Sequence, residues 1–416
     1  MKYGLIGEKL SHSFSKEIHE SLADYAYEIL ELSPNEVEPF IKAREFDGIN
    51  VTIPYKEKVI PFLDEISNAA RKIGAVNTIT KRDGKLYGDN TDFYGMREMI
   101  LSADIDVQGK KALILGTGGT SKTARAVLTD LGARCIVTVS RRAGENTVTY
   151  EAALELHSDA EIIVNTTPVG MYPNINDVPI DVKSFPELCG VVDVIYNPLR
   201  TGLVLEAEAE GIPAVGGLMM LIGQAAKACE IFLGKEIDEE KFYATVRGIF
   251  EAKENIVLIG MPGCGKSTLG RIISEMTGRK LVDTDEIITE MTGKSPSEII
   301  TSVGEREFRR IETEAVKRVS AMSGVVIATG GGVVTRKENV PYLRRNGRLV
   351  YLHCYPSDIT PTPNRPLSSS RSILKAMYEI RHPLYEAAAD ASVEISHKIS
   401  PDISASEVID TFTELI

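Results

Sequence analysis

Cysteine, histidine and long apolar runs are all scarce in this chain, and each scarcity excludes a class of protein. The five cysteines, at 135, 189, 229, 264 and 354, stand singly with no CxxC pair. That argues against a disulfide framework or a zinc site and fits a reducing compartment. The six histidines show no metal-ligand spacing. No stretch approaches the ~18 apolar residues that a membrane span needs. The opening MKYGLIGEKLSHS lacks the apolar core of a signal peptide and reads as a strand. The expectation is a cytoplasmic protein with no membrane partner. Positive charge is also short. With 47 Lys and Arg against 59 Asp and Glu, the net charge is -12. This argues against nucleic acid as a partner, although a locally basic pocket for a small anion is still allowed. Internal repeats and low-complexity segments are absent.

The 416 residues suggest about three units of domain size. Short apolar runs alternate with helical patterns almost throughout. Candidate strands are Tyr3–Ile6, Gly48–Ile53, Lys111–Leu115, Cys135–Val139, Ile162–Asn165, Val191–Ile195, Ile256–Ile259, Val325–Thr329 and Leu349–Leu352. Amphipathic stretches such as Thr120–Leu131, Leu269–Met276 and Phe308–Met322 lie between them. Such alternation predicts an α/β fold with mainly parallel sheets. One boundary falls near residue 102 and another at 251–254, each before a fresh strand–glycine–helix unit. The second joint has no Gly/Ser-rich spacer, so abutted halves are expected there.

At the first of these units, Lys111–Leu115 runs into Gly116-Thr-Gly118-Gly119-Thr-Ser121, followed by a helical pattern and a second strand. The glycines permit a tight turn and close backbone approach, and the helix N-terminus then meets a pyrophosphate. At the end of the second strand, where NAD sites place an acid, stand Ser140, Arg141 and Arg142. Two guanidiniums suit a 2′-phosphate, so the predicted cofactor is NADP(H). The plainer alternative is a pair of solvated arginines.

In the second unit, Asn255–Ile259 leads into Gly260-Met-Pro-Gly263-Cys264-Gly265-Lys266-Ser267-Thr268. This fits GxxxxGK[ST] in full. The loop amides cradle phosphates, Lys266 reaches the terminal ones, and the Ser267 hydroxyl ligates Mg²⁺. ATP and Mg²⁺ are the predicted ligands, and Cys264 reads as a small tolerated residue of the loop.

Further polar clusters have dull explanations when taken singly, as caps, Asx turns or solvated charges. They are Ser11-His-Ser13-Phe-Ser15, Asn50-Val-Thr52-Ile-Pro-Tyr-Lys56, Gly74-Ala-Val-Asn77-Thr and Gly88-Asp-Asn90-Thr-Asp92. Together, and with Asn165-Thr-Thr-Pro, Asp193-Val-Ile-Tyr196-Asn-Pro and Gly216-Gly217-Leu-Met-Met-Leu-Ile-Gly-Gln224 downstream, they resemble the shikimate dehydrogenase family over about the first 250 residues. The resemblance implies reduction of 3-dehydroshikimate to shikimate by NADPH. Lys56 and Asp92 would be the catalytic pair. Ser13, Ser15, Thr52, Asn77, Asn90, Tyr196 and Gln224 would hold the substrate, and Gly217 would lie on the cofactor side.

Past the phosphate loop lie Asp283-Thr-Asp285, Glu305-Arg-Glu-Phe-Arg309-Arg-Ile-Glu312, Gly330-Gly331-Gly332, Asn364-Arg365-Pro-Leu and Arg381-His-Pro-Leu-Tyr385. With that loop they resemble shikimate kinase from about 253 to 416. The resemblance implies that Asp285 binds the shikimate 3-hydroxyl and helps accept its proton. Asp283 would support Mg²⁺ with Ser267, and Arg309 and Arg381 would clamp the carboxylate. Gly330, Gly331 and Gly332 would pack along the ring, and Arg365 would sit over the transferring phosphoryl group. The lid expected between Tyr351 and Arg365 looks short and carries three prolines, which predicts slower turnover or weaker ATP binding.

The expected architecture is α/β throughout. A two-lobed dehydrogenase comes first: a substrate lobe 1–101 rejoined by 218–250, and a Rossmann-type NADP lobe 102–217. A P-loop kinase with a parallel sheet, 253–416, follows. The alternatives are a kinase half that only senses nucleotide, and a first half that acts on quinate or shikimate with NAD. The sequence leaves the oligomeric state open.

Overall fold

The computed structural model describes residues 2–10, 14–359, 370–396 and 398–416. The chain divides into two compact units, Met1–Ile249 and Phe250–Ile416. The fold is α/β, with three sheets among the described residues. No helix of the described residues is long and apolar enough to cross a membrane.

The first unit holds two six-stranded sheets. One runs Tyr27–Glu31, Tyr3–Gly7, Gly48–Val51, Thr78–Arg82, Lys85–Asp89, Glu65–Ile66 in spatial order. Its first three strands are parallel, and Thr78–Arg82 runs antiparallel to both neighbours. The hairpin from Thr78 to Asp89 turns on Asp83 and Gly84, both at positive φ (49° and 77°), the requirement of a tight primed turn.

The other sheet is wholly parallel: Ala214–Val215, Gly190–Asp193, Ile162–Asn165, Lys111–Leu115, Cys135–Val139, Thr147–Val148. The chain winds outward from Lys111–Leu115 in one direction, then returns to wind outward in the other. Its switch point therefore lies between Lys111–Leu115 and Ile162–Asn165, where such sheets open a crevice at the carboxyl ends of the strands. Ile162–Asn165 and Gly190–Asp193 are buried at every position, as expected where helices cover both faces of a parallel sheet.

Helix Asp92–Ser102 packs closely on helix Leu218–Leu233. Two glycines allow it. A Cβ on Gly95 would lie 2.4 Å from the Met220 carbonyl, and one on Gly223 would lie 3.2 Å from the Gly95 Cα.

The second unit has one parallel sheet: Leu281–Asp283, Val326–Ala328, Asn255–Ile259, Gly347–His353, Ala391–Glu394. The central strand Asn255–Ile259 is fully buried and empties into the phosphate loop. Helix Lys266–Thr277 follows it directly.

Candidate active sites

A cavity of about 500 Å³ in the first unit is lined by Ser15, Thr52, Lys56, Asn77, Asp92, Tyr196, Gly217 and Gln224 among others. Eight of the residues expected on sequence grounds are thus brought to one cavity. They arrive from separate elements. Lys56 follows strand Gly48–Val51, Asn77 precedes strand Thr78–Arg82, and Asp92 opens helix Asp92–Ser102. A carboxylate in the first turn of a helix is favoured by the helix dipole.

Lys56 Nζ donates to Asp92 Oδ2 at 2.6 Å, and Asn77 Nδ2 donates to Asp92 Oδ1 at 2.9 Å. Both carboxylate oxygens are therefore held. Asn77 is itself fixed, because its Oδ1 accepts from the Thr91 amide at 2.7 Å. Thr91 Oγ1 in turn donates to Gln224 Oε1 at 3.2 Å. Tyr196 meets Phe14 edge-on at 5.7 Å between ring centres, and burial pushes its hydroxyl pKa up.

One expected residue falls elsewhere. Asn90 is buried and does not line the cavity. Its Nδ2 donates to the Ala75 carbonyl at 3.0 Å and its Oδ1 accepts from the Asp92 amide at 3.1 Å. It thus braces Asp92 from behind. Ser13 lies outside the described residues. Asn50 and Thr120, given no role from sequence, do line the cavity. Asn50 accepts from the Tyr27 hydroxyl at 2.6 Å, and its place in the Asn50–Lys56 run was the signal available.

The adjoining turn fits a dinucleotide. Gly116 has φ +109°, and a Cβ there would lie 2.8 Å from Thr166 Oγ1, whereas Gly118 and Gly119 face open space. The first glycine is needed for the backbone path, and the other two leave room beside the N-terminus of helix Gly119–Asp130. Ser140, Arg141 and Arg142 stand just past strand Cys135–Val139. Ser140 Oγ donates to the Arg142 carbonyl at 2.6 Å, and both arginines are exposed. Behind this crevice Asp193 is fully buried. It accepts from Thr201 Oγ1 at 2.7 Å, the Ile195 amide at 3.0 Å and Asn165 Nδ2 at 3.1 Å. Burial nonetheless pushes its pKa up to about 6.

In the second unit the phosphate loop has the conformation its glycines permit, with Gly263 at φ 87° and Gly265 at φ 97°. Gly265 caps helix Lys266–Thr277, a favourable end for anions. Lys266 is buried, and its ammonium donates to the carbonyls of Gly260 at 2.8 Å and Met261 at 2.9 Å. Ser267 Oγ donates to Asp283 Oδ2 at 2.6 Å, so the two expected oxygen ligands of a hard cation sit together. No group of three His, Cys, Asp or Glu side chains converges among the described residues. A divalent ion at this pair would take its other ligands from water and phosphate. A cavity of about 230 Å³ beside the loop is lined by Gly263, Cys264, Gly265, Thr268, Cys354, Ile395 and Ile399 among others. Burial pushes the Cys354 thiol up to about 12.

The three glycines form the floor of the remaining site. A Cβ on Gly330 would lie 2.6 Å from Glu312 Oε1 and 3.3 Å from Asp285 Oδ1; on Gly331, 2.6 Å from Pro262 of the phosphate loop; on Gly332, 2.0 Å from Arg309 Nη1. Arg381 Nη1 donates to the Gly331 carbonyl at 3.0 Å, and the Tyr385 hydroxyl donates to the same oxygen. Asp285, Arg309, Arg381 and the phosphate loop thus meet around Gly330–Gly332.

Glu312 had no role assigned from sequence. It is fully buried and accepts from Arg309 Nη1 at 2.8 Å and 3.0 Å. Burial raises its pKa against the pull of Arg309 and Arg381. The three-residue spacing from Arg309 on one helix was the available signal. Arg365 and residues 360–364 of the expected lid lie outside the described residues.

The folds and sites define a dinucleotide-binding α/β enzyme unit followed by a P-loop unit. Residues 5–79 match the family model of the shikimate dehydrogenase substrate binding domain, and residues 262–415 match that of shikimate kinase. A shikimate dehydrogenase (NADP(+)) of Clostridium perfringens is 40% identical over 266 residues, covering 59% of this chain and 98% of its own. A chorismate mutase/shikimate 5-dehydrogenase fusion protein from Clostridium acetobutylicum superposes with TM-score 0.57 at 35% identity, over 59% of this chain and 96% of its own. Shikimate 5-dehydrogenase from Thermus thermophilus, solved with NADP(H) and shikimate, superposes with TM-score 0.53 at 30% identity, over 60% and 99%. The chain belongs to the shikimate dehydrogenase family and carries a shikimate kinase domain at its C-terminal end.

Proposed function

We propose that this chain performs two successive reactions, the reduction of 3-dehydroshikimate to shikimate and the phosphorylation of shikimate on its 3-hydroxyl. Residues 1–101 with 218–250 serve as the substrate lobe, 102–217 as the NADP lobe and 253–416 as the kinase. The observation that carries the reading is the Lys56–Asp92 pair at 2.6 Å on the wall of a polar cavity that also includes Gly217 and Thr120.

NADPH, when bound along Gly116–Ser121, supplies the hydride for C3 of the substrate. As negative charge grows on the C3 oxygen, the Lys56 ammonium stabilises it and gives up a proton to it, while Asp92 keeps the ammonium aimed. Asn77 and Asn90 hold Asp92 still. Ser15, Thr52, Tyr196 and Gln224, with Ser13, offer the short polar contacts that a small polyhydroxylated acid requires. Arg141 and Arg142 favour NADP over NAD because a 2′-phosphate satisfies two exposed guanidiniums and a bare hydroxyl does not.

In the kinase, ATP with Mg²⁺ supplies the phosphoryl group at the phosphate loop. Lys266 reaches the terminal phosphates, and Ser267 and Asp283 hold the ion. Asp285 takes the proton of the 3-hydroxyl, Arg309 and Arg381 clamp the carboxylate, and Arg365 covers the transferring group. The work required of these residues is positioning and charge neutralisation. The convergence of Asp285, Arg309 and Arg381 on Gly330–Gly332 supports phosphoryl transfer over nucleotide sensing.

One assay tests both halves. The purified chain receives 3-dehydroshikimate, NADPH, ATP and Mg²⁺, and NADPH loss and shikimate 3-phosphate are followed together. Both should change. Unchanged NADPH refutes the first half of the reading. Consumed NADPH with shikimate left unphosphorylated refutes the second.

A further inference from the structure

The cavity of the first unit contains a cation that none of the roles above uses. Lys9 stands just past strand Tyr3–Gly7 and lines the cavity with Ser15, Lys56, Asp92 and Tyr196. The turn that carries it is fixed, because the Leu10 amide donates to Glu31 Oε1 at 2.7 Å. Only three charged side chains line this cavity among the described residues: Lys9, Lys56 and Asp92. Lys56 and Asp92 neutralise each other at 2.6 Å. Lys9 is exposed and has no carboxylate partner among the described residues. Among the described residues the cavity therefore keeps one positive charge with no carboxylate partner, in a chain whose net charge is -12.

We propose that Lys9 is a specificity-determining residue of the dehydrogenase, whose ammonium receives the carboxylate of the anionic substrate. The inference rests on the reading that this cavity takes 3-dehydroshikimate. That substrate has two ends needing positive charge, the reacting carbonyl and the carboxylate. Lys56 is committed to the first by its pairing with Asp92. Lys9 is the remaining cation lining the cavity among the described residues, and its flexible stem lets it reach a carboxylate already held by neutral hydroxyls. A positive charge lining the cavity also draws a small anion toward a protein that otherwise repels it.

The test uses the full chain, NADPH oxidation and three variants, Lys9→Arg, Lys9→Met and Lys9→Glu. Loss of a charged contact to a carboxylate should raise KM for 3-dehydroshikimate about tenfold in Lys9→Met. The rise should be larger in Lys9→Glu and less than about twofold in Lys9→Arg, since only charge is required. Added salt screens charge attraction, so kcat/KM should fall with ionic strength more steeply in the unsubstituted chain than in Lys9→Met. If the unsubstituted chain reduces 3-dehydroshikimate but KM and the salt slope are the same in Lys9→Met, Lys9 has no such role and the proposal falls alone. If the unsubstituted chain does not reduce 3-dehydroshikimate at all, the reading of the cavity fails and takes the proposal with it. Because Lys9 is solvent-exposed, none of these changes disturbs the core.

Discussion

A single methyl group at Gly332 should disable substrate binding in the kinase. Gly332 has φ −106° and ψ 2°, a backbone that other residues adopt, so glycine is needed there for room and not for conformation. A Cβ at this position would lie 2.0 Å from Arg309 Nη1, 2.1 Å from Cζ and 2.2 Å from Nη2. Ordinary contact lies near 3.5 Å, so the guanidinium must retreat by about 1.5 Å. It has little freedom to do so. Arg309 is buried and tied to Glu312 at 2.8 Å and to Glu305 at 3.0 Å. Breaking a buried pair and leaving one charge behind costs about 3 kcal/mol, which is about two decades in binding if none of it is relieved. Gly332→Ala should therefore raise KM for shikimate by about 10- to 100-fold. The assay is ADP release by the full chain with shikimate varied at saturating ATP, the dehydrogenase rate of the same sample serving as a check on the first unit. A shikimate KM within threefold of the original, at unchanged melting temperature, would refute the placement of Arg309 at the substrate.

Three further outcomes are expected. Lys56→Met should lower kcat for 3-dehydroshikimate reduction by about 10²–10⁴, followed as NADPH absorbance, while phosphorylation of added shikimate persists; a smaller loss would remove Lys56 from the proton-donating role. Replacing Arg141 and Arg142 together by alanine should cut kcat/KM for NADPH by about 100-fold and leave that for NADH nearly unchanged; equal losses with both would point to the plainer reading of solvated arginines. Asp193 should make the first unit less stable as pH rises. Its carboxyl ionises at about 6 in the folded chain because burial strips it of water, and at about 4 when unfolded. Below about pH 4 it is protonated in both states and has no effect. Between about 4 and 6 the unfolded chain releases its proton first, which costs up to about 3 kcal/mol above pH 6. Asp193→Asn removes this cost, so its unfolding free energy relative to the unsubstituted chain should improve by up to that amount between pH 4 and pH 7.5. Urea unfolding followed by circular dichroism measures it, and a difference that does not vary with pH would refute the assignment.

What could be read from sequence follows from what each segment buries. Strands buried on both faces, such as Ile162–Asn165 and Asn255–Ile259, are continuous apolar runs and stand out. Strand Ala391–Glu394, at the edge of its sheet, buries only Val393 and gives no such run. Strands Thr78–Arg82 and Lys85–Asp89 are rich in polar residues, and their antiparallel pairing was signalled only by the Asp83-Gly84 turn. The site residues were legible as motifs, and most of those expected on the substrate side of the first unit line one cavity. A motif does not give the direction of a side chain. Asn90 sits in the same run as Asp92 yet turns inward to the Ala75 carbonyl, because the backbone leading into helix Asp92–Ser102 needs an acceptor for the Asp92 amide. Glu312 was hidden for a related reason: a carboxylate beside an arginine on a helix usually reads as a surface pair, and only burial reveals it as the partner that holds Arg309.

The close crossing at Gly95 and Gly223 bears on precision as well as packing. Asp92 starts one of the crossing helices and Gln224 lies on the other, next to the contact itself. With backbone against backbone and no side chain between them to deform, the pair behaves as one stiff body. A displacement of either helix carries the Asp92 carboxylate and the Gln224 amide together, as common-mode motion, so their separation is conserved.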